Sequence, residues 1–176
     1  SETMMELDDL PEKLVIIGGG YIGLEFASYY KNFGSSVAVI QDGDAFIPRE
    51  DSEISARVLQ QMNDRGIHIL TGAKIMRIED AAAGANVVVE TADGEKTLAA
   101  NAILIATGRR PNTEALNLAA AGVRQTARGA VEVDEHLRTN VPHIWAMGDV
   151  TGGMQFTYIS LDDFRIVKDQ LAGEGT

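Results

Sequence analysis

Three glycines with the spacing Gly-x-Gly-x-x-Gly lie near the start of the chain, at Gly18, Gly20 and Gly23. The apolar residues before them suit a strand, and the residues after them suit a helix. A strand, a glycine turn and a helix in this order bind a diphosphate, because glycine admits the phosphates and the first helical N–H groups attract negative charge. The pattern therefore predicts a dinucleotide site rather than an ordinary glycine turn.

The period of the apolar residues indicates which elements position this loop. A strand over 13–17, a helix over 21–33 and a strand over 36–40 would form a βαβ unit. Gly34 supplies the expected end of the helix. A second helix is predicted to start at Pro48, where proline and acidic residues come first, and to end at Gly66.

After a further strand at 67–70, the alternation of strands and helices stops. The next predicted strands lie at 74–79, 86–91, 96–98 and 102–105. Asp93-Gly94 joins the second and third of these, which is typical of a tight hairpin. We therefore expect an α/β, Rossmann-like nucleotide-binding fold: a parallel sheet with helices, plus an antiparallel three-stranded meander.

Composition limits the classes of function. The 176 residues carry 15 basic and 26 acidic side chains, and the net charge of -11 repels nucleic acid and anionic membrane surfaces. No apolar run reaches the roughly 18 residues of a membrane span, and the polar start does not resemble a signal peptide. We expect a cytoplasmic protein without nucleic-acid or membrane partners. The sequence has no cysteine, and its three histidines lack ligand spacing, so neither a dithiol nor a metal site is expected.

Three motifs resemble one enzyme family. The motifs are GGGYIGLEFA, ATGRRPN and IWAMGDVTGG, in this order along the chain. The third motif begins with a short apolar strand predicted at 144–146, and GDVTGG follows this strand. This order resembles the pyridine nucleotide-disulfide oxidoreductases, the group of glutathione reductase, dihydrolipoamide dehydrogenase and mercuric reductase. The resemblance implies an NAD(P)-binding domain at 1–113 and an incomplete FAD-binding segment at 114–176. It also implies a longer, homodimeric enzyme, with the family's dithiol and dimerisation domain outside this chain.

The resemblance gives roles to individual residues. In the family, the residue matching Tyr21 covers the nicotinamide pocket, and the one matching Glu25 contacts the nicotinamide end. The structural alternatives are a packed aromatic and a favourable charge near a helix N-terminus. The residue matching Asp149 binds the flavin ribityl chain, and the segment 151–157 matches a loop beside the flavin ring. The predicted cofactor-binding residues are Gly18, Gly19, Gly20, Tyr21, Ile22, Gly23, Glu25, Gln41, Asp42, Ala106, Thr107, Gly108, Arg109, Gly148, Asp149, Gln155, Phe156 and Thr157.

The residue after the second strand indicates which nicotinamide nucleotide binds. An acid there hydrogen-bonds the ribose 2′-hydroxyl of NAD, whereas arginine accommodates the 2′-phosphate of NADP. This chain has Gln41 instead, followed by Asp42 and Asp44, with Arg49 as the nearest base. Gln41 does not repel phosphate, but the two acids do, and Gly23 in the third motif position resembles the NAD-using members. We expect NADH to be preferred over NADPH.

The reaction that the resemblance implies is hydride transfer from NADH to FAD, followed by electron transfer to a dithiol or directly to an acceptor. No acid, base or nucleophile of this chain has to react, so no catalytic residue and no metal ligand is assigned. Disulfide, mercuric ion, cupric ion and oxygen all stay open as acceptors. Because part of the flavin pocket would lie outside the chain, we expect the isolated chain to bind nucleotide weakly and to turn over little.

The alternative is a stand-alone module that senses NAD(H) without catalysis. This hypothesis explains directly why the chain has no dithiol. The ATG and GD motifs argue against it, because they indicate contact with a flavin-bearing unit. A second Gly-x-Gly-x-x-Gly motif and a CxxxxC upstream would favour the enzyme.

Overall fold

The computed structural model describes residues 3–173, which form two compact units. The first unit ends at Gly108, and the second begins at Arg109. None of the helices within residues 3–173 is long and apolar enough to cross a lipid bilayer.

The first unit contains two sheets. A short 3-10 helix, Thr3–Glu6, precedes its main elements. These are β1 (Lys13–Ile17), α1 (Tyr21–Phe33), β2 (Ser36–Ile40), α2 (Ser52–Asp64), β3 (Ile67–Leu70), β4 (Lys74–Ala81), β5 (Gly84–Thr91), β6 (Gly94–Ala100) and β7 (Ala102–Ile105). The first sheet is parallel with the order β3-β2-β1-β7, and the second is antiparallel with the order β4-β5-β6. The predicted fold class is confirmed.

Strand β1 lies in the middle of the core. On one face of the parallel sheet, Leu14 belongs to a buried apolar cluster that includes Ala27 of α1. On the other face, Val15 belongs to a second cluster that includes Val87 of β5. All four side chains are buried. Because both faces of the sheet are covered, β1 has a continuous apolar sequence instead of an alternating one. The loop that follows β1 is therefore attached to a rigid strand.

Several predicted bounds differ from the structure: β4, β5 and β6 are each longer than predicted, and two larger differences occur elsewhere. The pattern predicts a helix that starts at Pro48, but α2 begins at Ser52. Asp51 is its N-cap, and the Asp51 carboxylate accepts a hydrogen bond from the N–H of Glu53 at 2.9 Å. The strand predicted at 144–146 is only an isolated bridge between Trp145 and Arg138, because no neighbouring segment continues the ladder.

The second unit has less regular structure. It contains two 3-10 helices, Glu114–Leu116 and Gly148–Thr151, and the helix α3, Thr157–Ala172. Buried apolar side chains such as Val131 and Leu137 lie in the segment between the two 3-10 helices.

Candidate nucleotide-binding site

The turn between β1 and α1 needs glycine at two positions for close backbone packing. Gly18 has a φ of +109°, and a β-carbon on it would lie 2.4 Å from the carbonyl oxygen of Ala106. A β-carbon on Gly23 would lie 2.1 Å from the carbonyl oxygen of Gly18. Gly20 is different, since a β-carbon there would have no atom within 4 Å. The space at Gly18 and Gly23 is filled by protein, and the space at Gly20 is open.

The first turn of α1 borders this open space. Gly20 is the N-cap of α1, and no side chain caps the helix there. The N–H groups of the first turn, which include those of Ile22 and Gly23, have no acceptor within the helix. The helix dipole adds a partial positive charge at this end. A side chain at position 20 would fill the space beside these backbone donors. With glycine there, the donors and the open space suit a diphosphate group.

Gln41, the residue after β2, lies next to the glycine turn. Its Oε1 accepts a hydrogen bond from the N–H of Gly19 at 3.0 Å. The N–H of Gly18 donates to the carbonyl oxygen of Ile40 at 2.8 Å. These two bonds attach the glycine turn to the end of β2. Asp42 is exposed, and its carboxylate accepts a hydrogen bond from the N–H of Gly43 at 2.9 Å.

Tyr21 and Glu25 lie on the first two turns of α1. Both are exposed, Tyr21 with 42% of its surface accessible. The hydroxyl of Tyr21 donates a hydrogen bond to the carboxylate of Glu50, in the loop before α2. The sequence analysis did not single out Glu50, because the two residues are 29 positions apart and no local pattern links them.

The ATG motif begins immediately after β7. The N–H of Ala106 donates to the carbonyl oxygen of Ile17 at 2.7 Å, which extends the pairing of β7 with β1. The same segment supplies the backbone that packs against Gly18. Thr107 and Gly108 follow and are exposed. The first and second motifs are thus in direct contact.

In the second unit, the GD motif forms the 3-10 helix Gly148–Thr151 rather than the end of a strand. Asp149 is half-buried, and its Oδ2 lies 3.5 Å from Nη1 of Arg109. The N–H of Gly148 donates to Oδ2 of Asp163 at 2.8 Å. Asp163 was not among the predicted site residues, because it lies 15 positions from Gly148 and no local pattern links the two residues.

The last predicted residues lie where α3 begins. Thr157 is the first helical residue and Phe156 the N-cap, without a side-chain cap. The ring of Phe156 stacks on that of Tyr158, with centroids 5.4 Å apart. Gln155 is exposed. The start of α3 therefore presents helical N–H groups and a partial positive charge.

The comparison with known families decides the membership of the chain. The family model described as pyridine nucleotide-disulphide oxidoreductase matches residues 1–163. The chain belongs to this family. The resemblance stated from the three motifs is therefore confirmed.

Several curated relatives are similar over nearly all of this chain. The probable pyridine nucleotide-disulfide oxidoreductase RclA of Escherichia coli is 47% identical over 175 residues. Dihydrolipoyl dehydrogenase of Bacillus subtilis is 37% identical, and mercuric reductase of Staphylococcus aureus is 34% identical. Among solved structures, a Cu(II) complex of the HOCl-induced flavoprotein disulfide reductase RclA from E. coli matches with a TM-score of 0.88 and 45% identity, over 99% of this chain.

These relatives are considerably longer than this chain. The match covers 39% of E. coli RclA, 37% of the B. subtilis enzyme and 32% of the S. aureus enzyme. The chain thus spans 32% to 39% of the length of these curated relatives.

Proposed function

We propose that this chain forms the NAD(P)H-binding part of an FAD-dependent oxidoreductase. The nucleotide-binding domain would comprise residues 1–113, and residues 114–176 would contribute a segment of the flavin-binding domain. The observation that carries the proposal is the open space at Gly20 beside the uncapped first turn of α1. Membership of the family supports the enzyme over a stand-alone sensor, since the matched relatives have the names of oxidoreductases.

The residues of the first unit would bind and orient the nicotinamide nucleotide. The diphosphate would lie against Gly20 and accept hydrogen bonds from the N–H groups of Ile22 and Gly23. Tyr21 and Glu25 lie on the first two turns of the same helix and would border the nicotinamide end. Gln41, at the end of β2, would border the adenosine ribose.

The residues of the second unit would contact the flavin. FAD, when bound, would supply the redox chemistry that connects the nicotinamide to an acceptor such as a disulfide or a metal ion. Asp149, which Arg109 contacts, would accept hydrogen bonds from the ribityl hydroxyls. The N-terminus of α3, at Phe156 and Thr157, would stabilise negative charge on the ring through its dipole. These residues bind and orient, and none of them reacts covalently.

We further propose that NADH is preferred over NADPH. The 2′-phosphate of NADPH adds negative charge at the ribose. Asp42 and Asp44 follow β2 directly, and both are exposed. Arg49 is the nearest base in the sequence, and no ion pair involving it lies within the described residues 3–173.

The test is a titration of the purified chain with NADH, followed by nucleotide fluorescence, for the wild type and Gly20→Val. Gly20 has φ -80° and ψ -179°, an extended conformation that valine readily adopts. Valine fills the space reserved for the diphosphate, so we expect the affinity to fall at least about tenfold. Gly20→Ala, with a smaller side chain, provides a milder second variant.

The matched control is Ala99→Val, which adds bulk on an exposed position of β6. It should leave both folding and NADH binding unchanged. Equal NADH affinity of folded Gly20→Val and wild type would show that the diphosphate does not bind at this turn.

A further inference from the structure

Hydrogen bonds of both its backbone and its side chain hold Gln41 in one position. Its N–H donates to the carbonyl oxygen of Leu70 at 2.8 Å, and its carbonyl oxygen accepts from the N–H of Ala73 at 3.0 Å. Its side-chain Oε1 accepts from the N–H of Gly19 at 3.0 Å. Three hydrogen bonds thus hold Gln41 between the glycine turn on one side and the end of β3 with the following loop on the other.

The orientation of the Gln41 amide follows from this bonding. A backbone N–H can be satisfied only by an acceptor, so the oxygen faces Gly19 and the NH2 group faces away. The NH2 group lies beside Gly43, where an added β-carbon would be 3.2 Å from Nε2. An NH2 group is a donor without charge. It can hydrogen-bond a ribose hydroxyl or a phosphate oxygen equally well, so Gln41 offers no means of rejecting a 2′-phosphate.

The negative charges near this position lie on the next residues. Asp42 is exposed, and the N–H of Gly43 holds its carboxylate. Asp44 is also exposed, and its Oδ1 lies against Gly72, 2.8 Å from where a β-carbon would stand. Neither carboxylate occupies the position directly after β2, where the Gln41 amide lies. Both can act on a bound phosphate only as charges exposed to solvent.

We propose that the preference for NADH over NADPH arises from screened repulsion by Asp42 and Asp44, not from Gln41, the residue that follows β2. This inference rests on the proposed function and states how its nucleotide preference works. Exposed charges interact weakly through water and are screened over about 10 Å at 0.1 M salt. The preference is therefore modest and decreases as the salt concentration rises. An acid at position 41 would instead contact the phosphate directly and reject it at any salt concentration.

The experiment measures dissociation constants for NADH and NADPH at about 20 mM and about 500 mM sodium chloride, two conditions in which the screening lengths differ severalfold. For the wild type, we expect the ratio of the NADPH to the NADH constant to be roughly three to ten at low salt and to approach about one at high salt. Asp42→Asn with Asp44→Asn should bring the ratio close to one at both concentrations. Asparagine at position 42 still offers an amide oxygen to the N–H of Gly43, so the loop keeps its hydrogen bond.

Two further variants make the test specific. Gln41→Glu keeps an oxygen for Gly19 and adds a charge, so the ratio should exceed about ten and should persist at high salt. Asp80→Asn with Asp93→Asn removes the same net charge from the antiparallel sheet, at exposed positions of β4 and the β5–β6 turn. This control should keep the ratio of the wild type at each salt concentration.

The outcomes separate this inference from the proposed function. If NADH binds but the ratio changes neither with salt nor in the Asp42→Asn, Asp44→Asn variant, the inference is wrong and the proposed nucleotide site stands. If the Asp80→Asn, Asp93→Asn control lowers the ratio as much, net charge rather than these two residues is responsible, and the inference is again wrong. If the folded wild type binds neither nucleotide, both proposals are wrong.

Discussion

The carboxylate of Asp163, on α3, accepts a hydrogen bond from the N–H of Gly148, 15 positions earlier in the chain. Gly148 has a φ of +73° and begins the 3-10 helix that contains Asp149. Ser160, one turn before Asp163, also packs against Gly148, with Oγ 3.1 Å from the position of an added β-carbon. The turn that carries the proposed ribityl ligand is thus attached to α3 by a specific hydrogen bond.

Replacement of Asp163 should loosen this turn. Asp163→Ala leaves the half-buried N–H of Gly148 without its acceptor and should lower the free energy of unfolding by about 1–2 kcal/mol. Asp163→Asn should cost less, because its amide oxygen can still accept. Urea unfolding followed by the fluorescence of Trp145 measures the effect. Asp162→Ala is the control, because Asp162 is exposed and its ion pair with Arg165 is long, at 4.0 Å. Equal losses of stability in Asp163→Ala and Asp162→Ala would contradict the prediction.

Two of the motif glycines, Gly20 and Gly23, should differ in what they contribute to stability. Gly23→Ala places a β-carbon 2.1 Å from the carbonyl oxygen of Gly18, so we expect a loss of about 1–3 kcal/mol from overpacking. Gly20→Ala meets no atom within 4 Å and should change the stability little. Thermal unfolding followed by circular dichroism compares the two variants. A Gly23→Ala protein as stable as Gly20→Ala would show that the turn relaxes around the added methyl group.

The hydrogen bond between Tyr21 and Glu50 should couple α1 to the loop before α2. Tyr21→Phe and Glu50→Gln remove or weaken the same interaction, so their effects on unfolding should not add in the double variant. Because Tyr21 is substantially exposed, the coupling free energy should be no more than about 1 kcal/mol. Tyr29→Phe, on an exposed position of the same helix, is the control and should add fully to Glu50→Gln. Full additivity of Tyr21→Phe with Glu50→Gln would contradict the coupling.

Acid should remove a stabilising contribution of Asp134. Hydrogen bonding by the backbone N–H of Arg138 is the main cause that holds the pKa of Asp134 below its ordinary value of 3.8. A carboxyl group whose pKa is lower in the folded state stabilises the fold above the unfolded pKa, and this stabilisation disappears as the pH falls through the folded pKa.

The difference in stability between wild type and Asp134→Asn should therefore be complete above about pH 5 and shrink below about pH 4. Urea unfolding at several pH values, followed by Trp145 fluorescence, measures it. Glu135→Gln changes the neighbouring exposed carboxylate and is the control. A difference that stays constant down to the acid limit would show that Asp134 acts through its shape and not through its charge.

Local sequence patterns predicted the first βαβ unit well. The bounds of β1, α1 and β2 agree with the predicted ranges, because each element has a continuous or periodic apolar pattern. Gly34 adopts a φ of +111° at the end of α1, as its role as a helix stop requires. The parallel sheet follows from this unit and the later apolar strands.

Longer-range interactions could not be read from the sequence. The start of α2 depends on the side chain of Asp51 rather than on the proline that precedes it. The segment at 144–146 is apolar but has no strand partner beyond Arg138. The contact of Glu50 with Tyr21 joins residues that share no local pattern.

The central claim is that a dinucleotide binds with its diphosphate at the glycine turn after β1. The most direct test is a titration of the 15N-labelled chain with NADH, in which NMR follows each backbone amide. The account predicts that the largest shifts occur at Gly20, Ile22 and Gly23, with smaller shifts at Gln41. Shifts confined to the antiparallel sheet of β4, β5 and β6, with the amides of the glycine turn unchanged, would contradict it.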